Sequence, residues 1–197
     1  MEDRSADGHQ RLHRRGVRLE VATLAWNVVG VGVVAAAALG ARSVALAGFG
    51  LDSLIEIGAS TVVIWELSGS GEDRRRTALR AIGAAFLVLA LYLGVQSTWV
   101  LAAGYHPSPS PLGLGWTVVT AAVMFALAAG KARTGKALAN PVLETEGRVT
   151  LIDALLAVAV AAGLALNAAA GWWWADPVAG YVILFYGVKE GLAALRD

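Results

Sequence analysis

Three acidic side chains lie inside apolar stretches that are long enough to cross a lipid bilayer. Asp52 and Glu56 interrupt the apolar run 44–67, and Asp153 interrupts the run 149–170. An ionised acid near the centre of a bilayer costs roughly 2.5–3.5 kcal/mol on the insertion scale, so such groups persist mainly where they face a cavity, a partner or an ion. The three acids therefore predict a cation-binding site buried among membrane-spanning helices.

The spacing of the acids allows them to share one site. Residues four apart lie on the same face of a helix, so Asp52 and Glu56 point into one groove. At 1.5 Å per residue, Glu56 lies about 15 Å from the end of its helix near Glu66, and Asp153 lies about 10 Å beyond Glu146. Because the two helices run in opposite directions, the three acids reach comparable depths in the bilayer.

The composition of the 197-residue chain predicts an integral membrane protein. Hydrophobic residues make up 57% of it, whereas soluble domains contain about 45–50% apolar residues. The net charge of +1 gives no indication of nucleic acid, and we expect no nucleic-acid partner. Since the chain has no Cys, disulfides and thiolate ligands are excluded, and any metal must be bound through oxygen or imidazole.

Six segments are apolar enough to span the lipid bilayer, which takes about 20 residues of helix. The bilayer interior offers no water to backbone groups, so spanning segments of this kind must be helical. The predicted fold class is therefore all-α, a bundle of six transmembrane helices. The predicted crossings are residues 19–39, 44–67, 79–103, 114–130, 149–170 and 177–195. A cleaved signal peptide is a weaker interpretation of the first segment, because its apolar stretch exceeds the 7–15 residues typical of signal peptides.

Basic residues near the segment ends predict the orientation, because cytoplasmic loops are enriched in Lys and Arg. Both termini are predicted to be cytoplasmic, since Arg42 is the one basic residue in the connections on the other side. We expect residues 1–15 to form a flexible basic tail, in which His9 and His13 are surface residues rather than metal ligands, and residues 16–197 to form the membrane domain. The basic residues on the predicted cytoplasmic side are Arg11, Arg14, Arg15, Arg18, Arg74, Arg75, Arg76, Arg80, Lys131, Arg133 and Lys136.

The sequence around the acids resembles the cation diffusion facilitator (cation efflux) family. Residues 43–60, SVALAGFGLDSLIEIGAS, resemble the second helix of that family, with acids four residues apart. Residues 174–180, WADPVAG, resemble the Ala-Asp-Pro segment that opens its last helix, and Asp153 lies near the middle of the fifth predicted helix. With six crossings and cytoplasmic termini, the resemblance covers about residues 15–196.

The resemblance implies a transporter rather than an enzyme. It implies a homodimer in a plasma membrane of bacterial type that exports divalent metal ions, such as zinc or manganese, in exchange for protons, with no permanently bound cofactor. Many members continue into a cytoplasmic metal-binding domain, which we expect this chain to lack because the sequence ends at Asp197.

The resemblance also implies a transport site of two residues one turn apart in the second helix and two in the fifth. Asp52 and Glu56 match the first pair, and Asp153 matches the second member of the second pair. The first member falls at Val149, whose side chain cannot bind a metal. The predicted metal ligands are therefore Asp52, Glu56 and Asp153, and the fourth ligand is missing.

The donor types bear on which ion is bound. Three carboxylates without His or Cys suit Mn²⁺ or Mg²⁺ better than a tetrahedral zinc site, whereas zinc is the commonest substrate of the family and stays the first hypothesis. Thr150, Asn27 or water could supply a fourth donor. Adjacent carboxylates repel one another, so protons compete with metal for them, and metal binding releases protons. Such a site is sufficient for metal–proton exchange.

Several alternatives stay open at this stage. A membrane protein that binds metal without transporting it would carry the same acids, whereas a structural protein or a membrane enzyme would not need them to converge. Asp52 could be a structural acid that is hydrogen-bonded to Ser53 or Asn27. The other acids near helix ends, including Glu66 and Glu146, are expected to face solvent.

Overall fold

The protein is an all-α membrane bundle, as the sequence predicts. In the computed structural model, which describes residues 2–41, 44–69, 71–104, 108 and 110–196, the described residues form six helices and no strand. Among these residues, the first five helices are each long and apolar enough to cross a membrane, and the sixth is shorter. The helices are α1 (Glu2–Ala41), α2 (Val44–Leu67), α3 (Glu72–Ala103), α4 (Pro111–Leu138), α5 (Pro141–Ala170) and α6 (Ala175–Ala194).

Four of the helices, α1, α3, α4 and α5, extend well beyond the apolar segments that predicted them. α1 begins at Glu2 instead of residue 19, so residues 2–15, which we expected to form a flexible tail, lie within a helix. α5 begins at Pro141 instead of residue 149, and α4 continues to Leu138 instead of residue 130. The predicted helix bounds followed the apolar residues alone, whereas a helix can continue into polar sequence once its backbone hydrogen bonds are made.

The helices are arranged as a ring of four with a pair on one side. α1 packs against α2 and α4, and α5 packs against α4 and α2, which closes the ring α1–α2–α5–α4. α3 and α6 pack mainly against each other and join the ring through α2 and α5. The three predicted ligands lie on α2 and α5, two helices that are adjacent in this ring.

A tight connection fixes α4 and α5 as an antiparallel hairpin. Ala139 ends α4 in the left-handed conformation, with φ of 48°, and Asn140 caps α5 by accepting a hydrogen bond of 3.0 Å from the Leu143 N–H. The Asn140 amide also donates to the Glu66 carboxylate at 3.2 Å. Glu66 is 7% exposed, so the expectation that it faces solvent is wrong. This contact ties the hairpin to the end of α2.

Glycines allow α4 and α5 to approach closely. A Cβ atom at Gly147 would lie 2.9 Å from the backbone nitrogen of Ala132 and 3.3 Å from the carbonyl oxygen of Ala128. Small residues at such contacts let helix backbones pack tightly in a membrane. The neighbouring side chains Lys131 and Glu146 are consequently brought face to face inside the ring.

Candidate metal site

The structure brings the three predicted ligands together inside the ring. Asp52 and Glu56 on α2 and Asp153 on α5 are each only 2% exposed. The Asp52 and Asp153 side chains are close enough to interact with each other across the α2–α5 interface. Glu56 is close enough to interact electrostatically with both aspartates. Their convergence agrees with a shared site, and their role as metal ligands stays a prediction.

Several oxygen atoms of the aspartates are unpartnered within the described part of the chain. Among the residues that the structure describes, Oδ2 of Asp52 and both carboxylate oxygens of Asp153 have no hydrogen-bond partner. Ionised carboxylates are acceptors only, so two of them facing each other away from water repel unless a proton or a cation lies between them. Within the described part of the chain, no three His, Cys, Asp or Glu side chains stand in a ready-made coordination shell. An ion would therefore have to draw these carboxylates inward.

The donors considered for the fourth position differ in what they contact. Thr150, which lies just before Asp153 on α5, donates a hydrogen bond of 2.9 Å to Oε1 of Glu56. Asn27 on α1 is buried, and its amide donates to the Thr23 carbonyl oxygen at 3.1 Å. Thr150 is thus the candidate that already contacts a predicted ligand.

The interpretation of Asp52 as a structural acid receives no support from its proposed partners. The Ser53 hydroxyl donates to the Phe49 carbonyl oxygen at 3.2 Å, and Asn27 donates within its own helix. The single Ser53 hydroxyl proton is therefore used, whereas the Asn27 amide has a second N–H, so the interpretation stays open for Asn27. Val149 is buried at 4% exposure and, as the sequence indicates, supplies no ligand.

A buried lysine lies beside the acids, and its burial was not predicted from the sequence. The Lys131 ammonium on α4 is 3.0 Å from Oε2 of Glu20 on α1 and 3.2 Å from Oε1 of Glu146 on α5. It also donates to the Thr150 hydroxyl at 2.9 Å. The side chains of Lys131, Glu20 and Glu146 are all 0% exposed. We refer to these three residues as the lysine cluster.

The lysine cluster corrects two expectations from the sequence. Lys131 was counted among the cytoplasmic loop residues, and Glu146 was expected to be solvated at an entrance; both lie inside the bundle. The error arose because α4 and α5 continue past their apolar cores, which places both residues within helices. Lys131 and Glu146 lie at similar distances on either side of the short α4–α5 connection. This spacing in the sequence was the signal that could have revealed the pair.

The lysine cluster lies between an open cavity and the three acids. The cavity, of about 390 Å³, is lined by residues of α1, the end of α2, the start of α3 and the α4–α5 connection, including Glu66, Leu67 and Asn140. α5 advances about 1.5 Å per residue, so it passes in order from Asn140 at the cavity to Glu146 in the cluster and then to Asp153. The cavity is at the end of the bundle that the basic residues predict to be cytoplasmic.

Comparison with known families identifies one match. A family model described as the cation efflux transmembrane domain matches residues 77–197. The matched range contains Asp153 and the hairpin of α4 and α5, and it does not include Asp52 or Glu56. A comparison with curated proteins gives no match.

The lysine cluster predicts a specific pattern of stability changes. Lys131→Met leaves Glu20 and Glu146 buried without a counter-charge, and we expect it to lower the free energy of unfolding by about 3–5 kcal/mol, as removal of one partner from a buried ion pair typically does. The triple variant K131M/E20Q/E146Q has no buried charge in the cluster, so it should recover most of this loss. Thermal unfolding in detergent measures both changes. A Lys131→Met protein as stable as the wild type would contradict the ion pairs.

Proposed function

The chain belongs to the cation efflux family and is a transporter of divalent cations; we propose that it exports zinc, with manganese or iron as the alternative ions, from the cytoplasm in exchange for protons. In this proposal the transported ion is bound by Asp52, Glu56 and Asp153 in a plasma membrane of bacterial type. The cavity at the end of α2 and the start of α5 serves as the cytoplasmic approach to the site.

The observation that carries the proposal is the meeting of Asp52 and Asp153 across the α2–α5 interface. Both side chains are buried, and three of their four carboxylate oxygens lack a hydrogen-bond partner among the described residues. A purely structural acid in this position would be expected to have a donor, because unpartnered buried polar groups are costly. A divalent ion supplies the positive charge that this arrangement requires.

The donor set bears on the choice of ion. The proposed ligands are carboxylates, and the nearest additional donor is the Thr150 hydroxyl, which is also an oxygen. An all-oxygen site suits Mn²⁺ by ligand preference, whereas carboxylates also bind Zn²⁺. Zinc is placed first on the strength of the resemblance, and a direct comparison of ions decides between them.

Transport assays on acid variants test the proposed site. In proteoliposomes that report uptake of Zn²⁺, Mn²⁺, Fe²⁺, Co²⁺ or Cd²⁺, we expect Asp52→Asn, Glu56→Gln and Asp153→Asn each to reduce flux at least about tenfold, because one ionic ligand is worth more than 1.4 kcal/mol. Glu144→Gln is the matched control, since it neutralises an acid on the same helix as Asp153 and outside the site.

Two outcomes would change the assignment. Flux that is unchanged in all three acid variants would exclude these residues as the transport site. Metal binding that depends on the acids but occurs without flux would indicate the alternative, a membrane protein that binds metal without transporting it.

Proton exchange predicts a definite pH dependence. Because metal binding releases protons from the carboxylates, the dissociation constant for the metal should rise as the pH falls, by about tenfold per pH unit for each proton released. In proteoliposomes that contain a pH-sensitive dye, metal uptake should move protons in the opposite direction, and Asp153→Asn should abolish both movements. Metal flux with no accompanying proton movement would contradict the exchange mechanism.

The proposal includes a homodimer, as the resemblance implies. Leu91, Val95 and Trp99 follow one another at four-residue intervals on α3 and are 70%, 63% and 65% exposed. Because the chain contains no Cys, a single engineered cysteine reports contacts cleanly. We expect Val95→Cys to cross-link two copies in membranes and Val29→Cys on α1, 57% exposed, to cross-link much less. Equal cross-linking at both positions would argue against a dimer interface formed by these exposed residues of α3.

A further inference from the structure

Lys131 places a buried ammonium between the cavity and the acids, where the proposed function needs a metal cation to pass. Its ammonium is fully buried and contacts Glu20, Glu146 and Thr150 at 3.0, 3.2 and 2.9 Å. A buried ammonium is tolerated only when it is paired, and the two glutamates satisfy that need. The third contact, to Thr150, is directed towards the site of the three acids.

Thr150 links the ammonium to a predicted ligand. Its hydroxyl carries one proton, which it donates to Oε1 of Glu56, and the same oxygen accepts a hydrogen bond from Lys131. A single hydroxyl therefore separates the ammonium from the Glu56 carboxylate. In this arrangement Lys131 balances part of the negative charge of the acids in the absence of a metal.

A metal ion at Glu56 would compete with this arrangement. Two cations separated by one hydroxyl repel strongly where water is excluded. Glu20 on α1 and Glu146 on α5 offer the ammonium two carboxylates that do not depend on its contact with Thr150. The ammonium can thus give up its contact with Thr150 and keep its ion pairs.

We propose that Lys131 is a tethered competitor of the transported ion: it neutralises the acids when they hold no metal, and the metal must displace it from Thr150 in order to bind. This inference rests on the proposed function. Lys131 touches no metal itself and is a positioning residue that acts through Thr150. Its presence weakens metal binding. It also keeps the empty site charge-balanced, which allows the transporter to return to the state that binds the next ion.

A competitor role and a structural role for Lys131 predict different changes in metal affinity. Removing a competitor should tighten metal binding, whereas damaging a structural ion pair should weaken binding or leave it unchanged. The loss of charge balance in the empty site should at the same time slow turnover. The split between affinity and turnover therefore separates the two roles.

Two variants remove the ammonium while conserving the net charge of the cluster. K131M/E146Q and K131M/E20Q each delete one positive and one negative group, so a general change in charge cannot explain their behaviour. We expect both to bind Zn²⁺ or Mn²⁺ about tenfold more tightly than the wild type, within the range typical of coupled sites, and to transport it with a lower maximal rate. Titration calorimetry in detergent and flux in proteoliposomes measure the two quantities.

Additional variants keep the test decisive. Lys131→Arg retains the charge and should retain wild-type metal affinity. Lys131→Gln keeps hydrogen-bond donors for Glu20 and Glu146, so it replaces a double variant that does not fold. This single variant should also bind metal more tightly than the wild type. Adding Asp153→Asn to K131M/E146Q should abolish the tight binding, which excludes a new metal site within the cluster.

The result separates this inference from the proposed function. A wild-type protein that neither binds nor transports metal would overturn the proposed function. A wild type that transports metal in a manner dependent on Asp153, together with variants lacking Lys131 that bind no more tightly, would overturn the competitor role alone.

Discussion

Buried charge away from water is the constraint on which the rest of the structure depends. The helices that form the ring, α1, α2, α4 and α5, bury the carboxylates of Glu20, Asp52, Glu56, Glu146 and Asp153 and the ammonium of Lys131. A charge at membrane depth is costly unless it faces a partner, a cavity or an ion. Each of these four helices contributes at least one such group, so each must turn its charged face inward. The buried residues of α3 carry no charge, and α3 packs on the side of the ring.

The sequence predicted the helices and the shared face of Asp52 and Glu56, and it missed a charge pairing between two helices. The apolar segments identified the helices, and the four-residue interval of Asp52 and Glu56 placed both on one face. Helix ends were less predictable, because the polar turns of α4 and α5 are stabilised by the connection at Asn140. The pairing of Lys131 with Glu146 is a tertiary contact, and counting basic residues treats every lysine near a segment end alike.

The gap at Val149 acquires a physical interpretation from its neighbour. Val149 is buried and apolar, whereas Thr150, the next residue, directs its hydroxyl to Glu56. Residues three and four positions before Asp153 both lie near its helix face, one on either side of it. In the proposed site, this departure leaves the Thr150 hydroxyl, which also contacts Lys131, as an additional oxygen donor beside Glu56.

The packing of the helices indicates where a transport movement would have to act. α5 packs far more extensively against α4 than against α2, and Gly147 allows the α4 and α5 backbones to approach closely. The hairpin should therefore move as one unit that carries Lys131 and Asp153 together. The contacts of Asp52 with Asp153 and of Glu56 with Thr150 both cross the less extensive α2–α5 interface. A movement at that interface would alter both contacts at once, whereas the contact of Lys131 with Thr150 lies within the hairpin and would move with it.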